Sequence, residues 1–424
     1  MIRAILVILV LLTGLPASAN ADGNDAVAAV IARLFESKSV ETGSKSVDKA
    51  IGEVRDYYAT RAFKPVWVRD DGPKSKAKSL LAELKTSIVH GLSPQFYHVD
   101  EISSLMDSQD PEKLAQLDML LSGAVVEFGR HLRNGRIGPD SPGAENAVKP
   151  VELDVAEYIE GAADAGNFRE YASKFINADD RYVRLVAKLS EMQRMQSAKM
   201  WPAISTSEGP IAKGAKDERI VAIRRLLAIN GDLPPNQMDG PPVFDEAVAT
   251  AVGNFQERHG LQITSELDMP TLEEMAVPVD QRIRQIQINL ERRRWLNRPL
   301  EPSRVYINLS EPLARVVSQG KDIAFLGILN VDELRDVPTF FGTIDASRMA
   351  DGKTLLDVLP DPKVTRGMAK TPIRIMLDGP VELKAGMQVF VTYITAWVSS
   401  DGRLHFGRDI FDRDPVLAKL MSLN

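Results

Sequence analysis

Between residues 114 and 132 the apolar positions Leu117, Leu120, Leu121, Ala124, Val125, Phe128 and Leu132 recur in steps of three and four, the spacing that turns one face of an α-helix toward a core. Asn134-Gly135 supplies the stop. His131 falls in the last turn, where a partial positive charge suits the carbonyl end of the helix, so a capping role outranks a catalytic one. Val47–Tyr58 repeats the same spacing, and Leu80, Leu81, Leu84 and Ile88 mark a helix stopped by Gly91. Residues 26–35 hold one helix in an otherwise polar lead-in. Glu152–Ala163 and Tyr182–Gln193 add two more after a Gly- and Pro-rich break at 138–143. Phe63 and Trp67 read as core anchors rather than a platform for stacking sugars. Residues 47–203 therefore read as one mainly helical domain.

A polar linker at 204–214 leads into the sharpest periodicity of the chain. Ile220, Ile223, Leu226 and Leu227 line a helix ending at Asn230-Gly231, and Phe244, Ala247, Val248, Ala251, Val252 and Phe255 line a second that starts at or near Asp245. Thr271–Met275, introduced by Pro270, is a short third. A unit of this size holds no triad or metal set, so 215–280 reads as a binding module, followed by a connecting helix at 281–300. The pattern then changes. Met387–Val398 is dense in β-branched and aromatic residues, Ser399-Ser400-Asp401-Gly402 is turn chemistry, and Arg403–Phe406 reads as a returning strand, which together predict a hairpin.

A length of 424 residues calls for two or three domains at roughly 150 residues each. A net charge of −6 argues against a nucleic-acid partner, which needs a clustered basic face. The run Arg292-Arg293-Arg294 reads as a solvated helix face. Met1–Ala19 has the basic start, apolar middle and Ala17-Ser18-Ala19 cleavage site of a secretory leader, and residues 20–46 a flexible lead-in. No stretch reaches the about 20 apolar residues a membrane span needs, so an exported, periplasmic protein is expected. There is no cysteine, hence neither a disulfide nor a thiolate nucleophile.

Gly231-Asp232-Leu233, Phe244-Asp245 and Phe255-Gln256-Glu257-Arg258-His259-Gly260-Leu261 resemble the peptidoglycan-binding type 1 domain of cell-wall enzymes. Asn289-Leu290-Glu291-Arg292-Arg293-Arg294-Trp295 resembles the segment that joins this module to the catalytic domain in YcbB-type periplasmic L,D-transpeptidases. Phe63-Lys64-Pro65-Val66-Trp67 and Leu117-Asp118-Met119-Leu120-Leu121 are similar to that family's helical scaffold domain, and Thr395-Ala396-Trp397-Val398 with His405-Phe406 to its last strands. The resemblance implies an α+β multidomain fold: a mainly helical scaffold domain, a three-helix peptidoglycan-binding-like module, and a reduced β-rich L,D-transpeptidase-like domain at 301–424.

Those enzymes act through a cysteine beside a histidine, and this chain departs from them. It has no cysteine, and His405 is its only histidine after Val305. Only the 36 residues Asp345–Pro380 separate Ile344 from the closing strands, too few for the family's capping subdomain and His/Cys motif. Ser347, Thr354, Thr365 and Thr371 lack a nearby base in sequence, Lys353, Lys363 and Lys370 read as solvated loop residues, and Asp351, Asp357, Asp361 and Asp378 have no ligand spacing. No catalytic residue, metal or cofactor is therefore assigned. The expected role is non-catalytic binding of peptidoglycan or of a cell-wall enzyme, with Gln256, Arg258 and His259 as the candidate binding residues. An enzyme with a non-cysteine nucleophile and a pure protein–protein scaffold stay open as alternatives.

Overall fold

The computed structural model describes residues 25–37, 45–141, 145–176 and 179–422. The leader expected at 1–19 lies outside them, as do residues 20–24 and 38–44 of the lead-in expected at 20–46; the rest of that lead-in is ordered, with Val27, Ile31 and Phe35 of its helix buried in the first core. Seven helices build the first core: α1 (Asp25–Ser37), α2 (Lys45–Thr60), α3 (Ser75–Lys85), α4 (Val99–Leu105), α5 (Pro111–Asn134), α6 (Val155–Asp164) and α7 (Phe168–Ser173). A two-stranded ribbon, β1 (Val68–Arg69) and β2 (Gly72–Pro73), joins α2 to α3. α5 is the central rod, because its apolar stripe is wide enough to be covered from several sides. Trp67 and Leu117 are both in this core, and Phe63 packs at its edge.

One carboxylate organises the entry to the ribbon. Asp118, fully buried on α5, accepts hydrogen bonds from the backbone N–H groups of Val66 (3.0 Å), Trp67 (2.6 Å) and Val68 (3.1 Å), and from the Tyr58 hydroxyl. The Trp67 indole donates to Ser122 Oγ, one turn along α5, at 2.8 Å. A buried irregular strand must satisfy its amides somewhere, and here a side chain does it.

α8 (Asp180–Ser197) leaves that core. Its stripe Tyr182, Leu185, Leu189 and Met192 packs instead on Ile283, Ile286 and Leu290 of α12 (Val279–Trp295). Between them in sequence lies the module, α9 (Arg219–Ile229), α10 (Glu246–Arg258) and α11 (Met269–Met275), with its own core. Asp245 caps α10 by accepting from Val248 N at 3.0 Å.

The C-terminal part is a seven-stranded mixed sheet of β3 (Arg304–Asn308), β4 (Leu313–Ser318), β5 (Lys321–Gly327), β6 (Phe340–Ala350), β7 (Lys353–Pro360), β8 (Ile373–Leu377) and β9 (Gln388–Thr392), in the order β5-β4-β3-β9-β6-β7-β8. Only β3 and β9 run parallel. The interval 345–380 continues this sheet: β6 turns into β7 through Asp351-Gly352, both at positive φ, as a two-residue hairpin requires. The whole is an α+β fold.

The expected hairpin forms from β10 (Ala396–Val398) and β11 (Leu404–Phe406), but the run that leads to it is not one strand. β9 stops at Thr392, and the next residues turn out of the sheet because two asparagines take over their backbone bonds. Asn308 bonds Ile394 through both N–H and C=O, each at 2.9 Å, and Asn289 accepts from Thr395 N at 2.7 Å. The hairpin thereby lands on α8 and α12. α13 (Arg413–Ser422) closes the chain.

α12 is the hub. Arg292, Arg293 and Arg294 are 0, 6 and 1 % exposed, so the solvated face expected for this run is absent. The reason is that α12 carries apolar residues on two faces: Ile283, Ile286 and Leu290 toward α8 and the hairpin, Ile288 and Trp295 toward Phe341, Phe390 and Leu417. A helix covered on both sides must pair its charges internally. Arg292 donates to Glu145 (2.5 Å), Asp414 (2.6 Å) and Thr395 Oγ1 (3.2 Å). Glu291 pairs with Arg294 at 3.0 Å and accepts from Arg136 N and Ile137 N at 2.5 and 2.7 Å. Its carboxylate fills the space that a Cβ on Gly135, at φ +77°, would need.

Arg294 also reaches the His90 carbonyl. Burial first, then the charges of Arg294 and Arg169, push the His90 imidazole down to about 4. Above pH 6.5 neither folded nor unfolded chain protonates this ring; between 6.5 and 4 only the unfolded chain does, so stability is lost as pH falls through that window. Replacing His90 by Gln is expected to flatten the loss by no more than roughly 3–4 kcal/mol, at about 1.4 kcal/mol for each pH unit of the window. Denaturant midpoints of both proteins at pH 7 and pH 4.5 check this, and equal losses in the two would refute it.

Candidate functional site

The three candidate binding residues are brought together at the end of α10, and all are buried: Gln256, Arg258 and His259 are 0, 2 and 4 % exposed. Gln256 holds the loop into α11: its NH2 group lies 2.9–3.0 Å from Thr264 Oγ1, Glu266 O and Thr271 Oγ1, for which it has two protons, and its oxygen accepts from Thr264 N and Ser265 N at 2.8–2.9 Å. Arg258 forms a two-pronged pair with Asp232 and donates to the Leu404 carbonyl of β11. His259 stacks on Phe255 with ring centroids 3.8 Å apart and lies 5.6 Å from Phe406. Burial, then Arg282 and Arg258, hold its imidazole well below its ordinary range, so it is neutral. Arg258 and His259 thus seat the module on the hairpin, Gln256 braces the loop inside the module, and none of the three is exposed.

The hydroxyls and cations of 345–380 are dispersed along the sheet. Thr354 is buried, donating to Gly379 O and accepting from Val381 N, both at 2.9 Å. Thr365 bonds Asp361 O at 2.5 Å, Asp357 pairs with Arg374, and Asp378 accepts from Gly327 N. Lys353, Lys363 and Lys370 are exposed, as is Thr371. Among the described residues no group of three His, Asp or Glu side chains is placed to hold a metal ion.

A hydroxyl and an imidazole do meet on the hairpin turn, where Ser399 Oγ is 3.1 Å from His405 Nε2. His405 stacks on Trp397 with centroids 5.2 Å apart, and burial, followed by Arg258 and Arg403, lowers its pKa, leaving it a neutral acceptor. Ser399 has one proton, however, and it also faces Asp401 Oδ1 and Arg403 O. Hydrogen bonds from Ser399 and Arg403 keep the Asp401 carboxyl below the usual range, so this acceptor is charged and the stronger competitor. The turn is locked by these bonds, and a Ser hydroxyl donating to a carboxylate is a poor nucleophile.

Trp397 and Ser399 stand at the mouth of a cleft of about 400 Å³ between the hairpin, the start of α8, the end of α12 and the face of β3, β4 and β9. Tyr306 and Phe390 stack in its floor with centroids 5.1 Å apart, and the guanidinium groups of Arg181 and Arg315 lie 5.7 and 5.1 Å from the Tyr306 ring. Glu311 lines it too, and burial alone pushes its carboxyl up to about 7. Such a cleft can hold a flat or apolar group beside an anion, and Glu311 can exchange a proton near neutrality. Sequence reasoning missed it because its residues come from elements far apart in the chain.

Helical core, three-helix module and curled sheet, joined through α12, define a multidomain α+β protein. The Scaffold domain family matches residues 52–189 and the putative peptidoglycan binding domain family matches residues 216–275. A Scaffold domain followed by a peptidoglycan-binding domain is the YcbB-type layout, here in a chain without cysteine. No curated protein matches the chain. No helix among the described residues is long and apolar enough to cross a membrane.

Proposed function

We propose that this protein is a non-catalytic, L,D-transpeptidase-like component of the cell wall, exported to the periplasm, that binds peptidoglycan and organises wall synthesis, alone or with a cell-wall enzyme. The observation that carries it is the interval 345–380. A catalytic insert would have to lie there, and the segment instead continues the sheet, with Thr354, Thr365 and Asp378 bonded to backbone and Asp357 paired with Arg374. The peptidoglycan-binding module supports the wall as the ligand. Purified full-length protein is expected to sediment with purified sacculi, and a deletion strain to keep its 3,3-cross-links while losing normal shape or envelope integrity. Absence from the sacculus pellet would remove the binding role.

The contact between Ser399 and His405 favours a second reading, an enzyme with a serine nucleophile. In that case deletion would abolish 3,3-cross-links, wild-type protein would restore them and Ser399→Ala would not. Restoration by the Ala variant excludes it.

A further inference from the structure

Beyond its first turn, α12 is buried except at Gln281, Arg284, Gln285 and Gln287. These four form the floor of a groove of about 1120 Å³, walled on one side by the scaffold segment that runs from Ile88 to Phe96 and on the other by the residues from Asp409 to Ser422 that include α13. The groove is distinct from both the module at 216–275 and the cleft at Trp397. Its volume exceeds the roughly 300–1000 Å³ of a small-molecule pocket, which suits an extended chain.

Its chemistry points to an uncharged occupant. Three cations, Arg136, Arg284 and Lys419, line the groove beside three carboxylates, Asp409, Asp412 and Asp414, the last of them paired with buried Arg292, so no strong charge of one sign is offered to an ion. Unspent amides are offered instead: the side chains of Gln281 and Gln287 line the groove and make no hydrogen bond among the described residues, and each carries two donors and an acceptor. Gly91, at φ +71°, lets the scaffold turn close on the helix, since a Cβ there would stand 3.1 Å from Gln287 Cγ. Phe96, Ile88 and Pro415 add apolar surface between the polar groups. Asp409 Oδ1, on the wall, is buried without a hydrogen-bond partner. Amides and carboxylates that fork onto hydroxyl and acetamido groups, beside apolar patches for ring faces and acetyl methyls, are what a neutral sugar polymer requires.

We propose that this groove is a second glycan site, taking a neutral N-acetylated oligosaccharide strand along the exposed face of α12. The proposal rests on the wall-binding reading above and assigns the glycan, rather than the peptide, to this surface. The probe is chitohexaose, a peptide-free N-acetylglucosamine oligomer, titrated into the full-length protein by calorimetry, with sacculus sedimentation measured on the same preparation. Wild type is expected to bind, and the double variant Gln281→Ala/Gln287→Ala to bind at least tenfold more weakly with an unchanged melting temperature, because both side chains are outside every core. Affinity unchanged in that variant would place the glycan elsewhere and overturn the proposal. Sacculus retention without chitohexaose binding would overturn it while leaving the wall-binding reading intact. Binding of an amphipathic or acidic peptide at the groove, with none of the hexasaccharide, would make it a protein-docking surface and overturn it as well. Failure of both assays removes the wall-binding reading itself.

Discussion

Replacing Arg292 by alanine is expected to lower the stability of the assembled C-terminal half by about 3–5 kcal/mol, the cost of leaving charge buried and unpaired. Arg292 is fully buried and bridges Glu145, in the chain that leaves the scaffold domain, to Asp414 at the start of α13. Without it Asp414 loses its charged partner, and buried Glu145 keeps only Arg413, 3.7 Å away. Burial alone already raises the Asp414 carboxyl, and Arg292 is the main group opposing that shift. The loss should therefore come from stranded charge more than from missing atoms. Arg292→Met alone keeps most of the volume and is expected to be nearly as damaging. Adding Glu145→Gln and Asp414→Asn to it should recover much of the loss, since a well-packed neutral set replaces a buried ionic one at little cost. Denaturant unfolding of the four proteins decides it: a cost below about 1 kcal/mol for Arg292→Met would mean that water reaches the carboxylates and that the network does not hold the domains together.

Asp118→Ala is expected to be of similar size, about 5 kcal/mol, and confined to the scaffold domain. Three backbone N–H groups and the Tyr58 hydroxyl would lose their common acceptor, at about 1–3 kcal/mol for each donor left buried, reduced by whatever water enters. Asp118→Asn keeps one acceptor oxygen but turns an NH2 group toward N–H donors, so it should recover only part of the loss. Limited proteolysis gives a local readout, because residues 61–74 should become cleavable in the variant before the module does. Cleavage appearing everywhere at once, with a small shift in midpoint, would show that the carboxylate is not what holds this segment.

Much of this architecture is legible from the chain. The stripe of α5, the three helices of the module and the turn at Ser399-Ser400-Asp401-Gly402 each follow from local spacing, and local spacing is what determines which face of an element is apolar. The matched families fall where the quoted motifs lie, at 52–189 and 216–275. The reading of Arg292-Arg293-Arg294 failed for an identifiable reason. Ile288 and Trp295 put apolar side chains on the face opposite Ile283, Ile286 and Leu290, and that pattern outweighs the charge of the run. A helix apolar on two faces is covered on two faces, and that signal was present.

Gln256, Arg258 and His259 show the complementary limit. Their polarity reads as surface, yet each is satisfied by a partner distant in sequence: Gln256 by the loop at 264–271, Arg258 by Asp232 and Leu404, His259 by contact with Phe406. The sequence by itself determined the stripe of α5, the three helices of the module, the closing turn, the absence of a thiol and the shortness of the interval 345–380, because these depend on composition and local periodicity. Only the tertiary structure decided which polar residues are inside, that β9 and β10 part at Tyr393, and that α12 joins every domain. Those outcomes depend on which distant group supplies the missing hydrogen bond or countercharge, and residue spacing carries no information about that pairing.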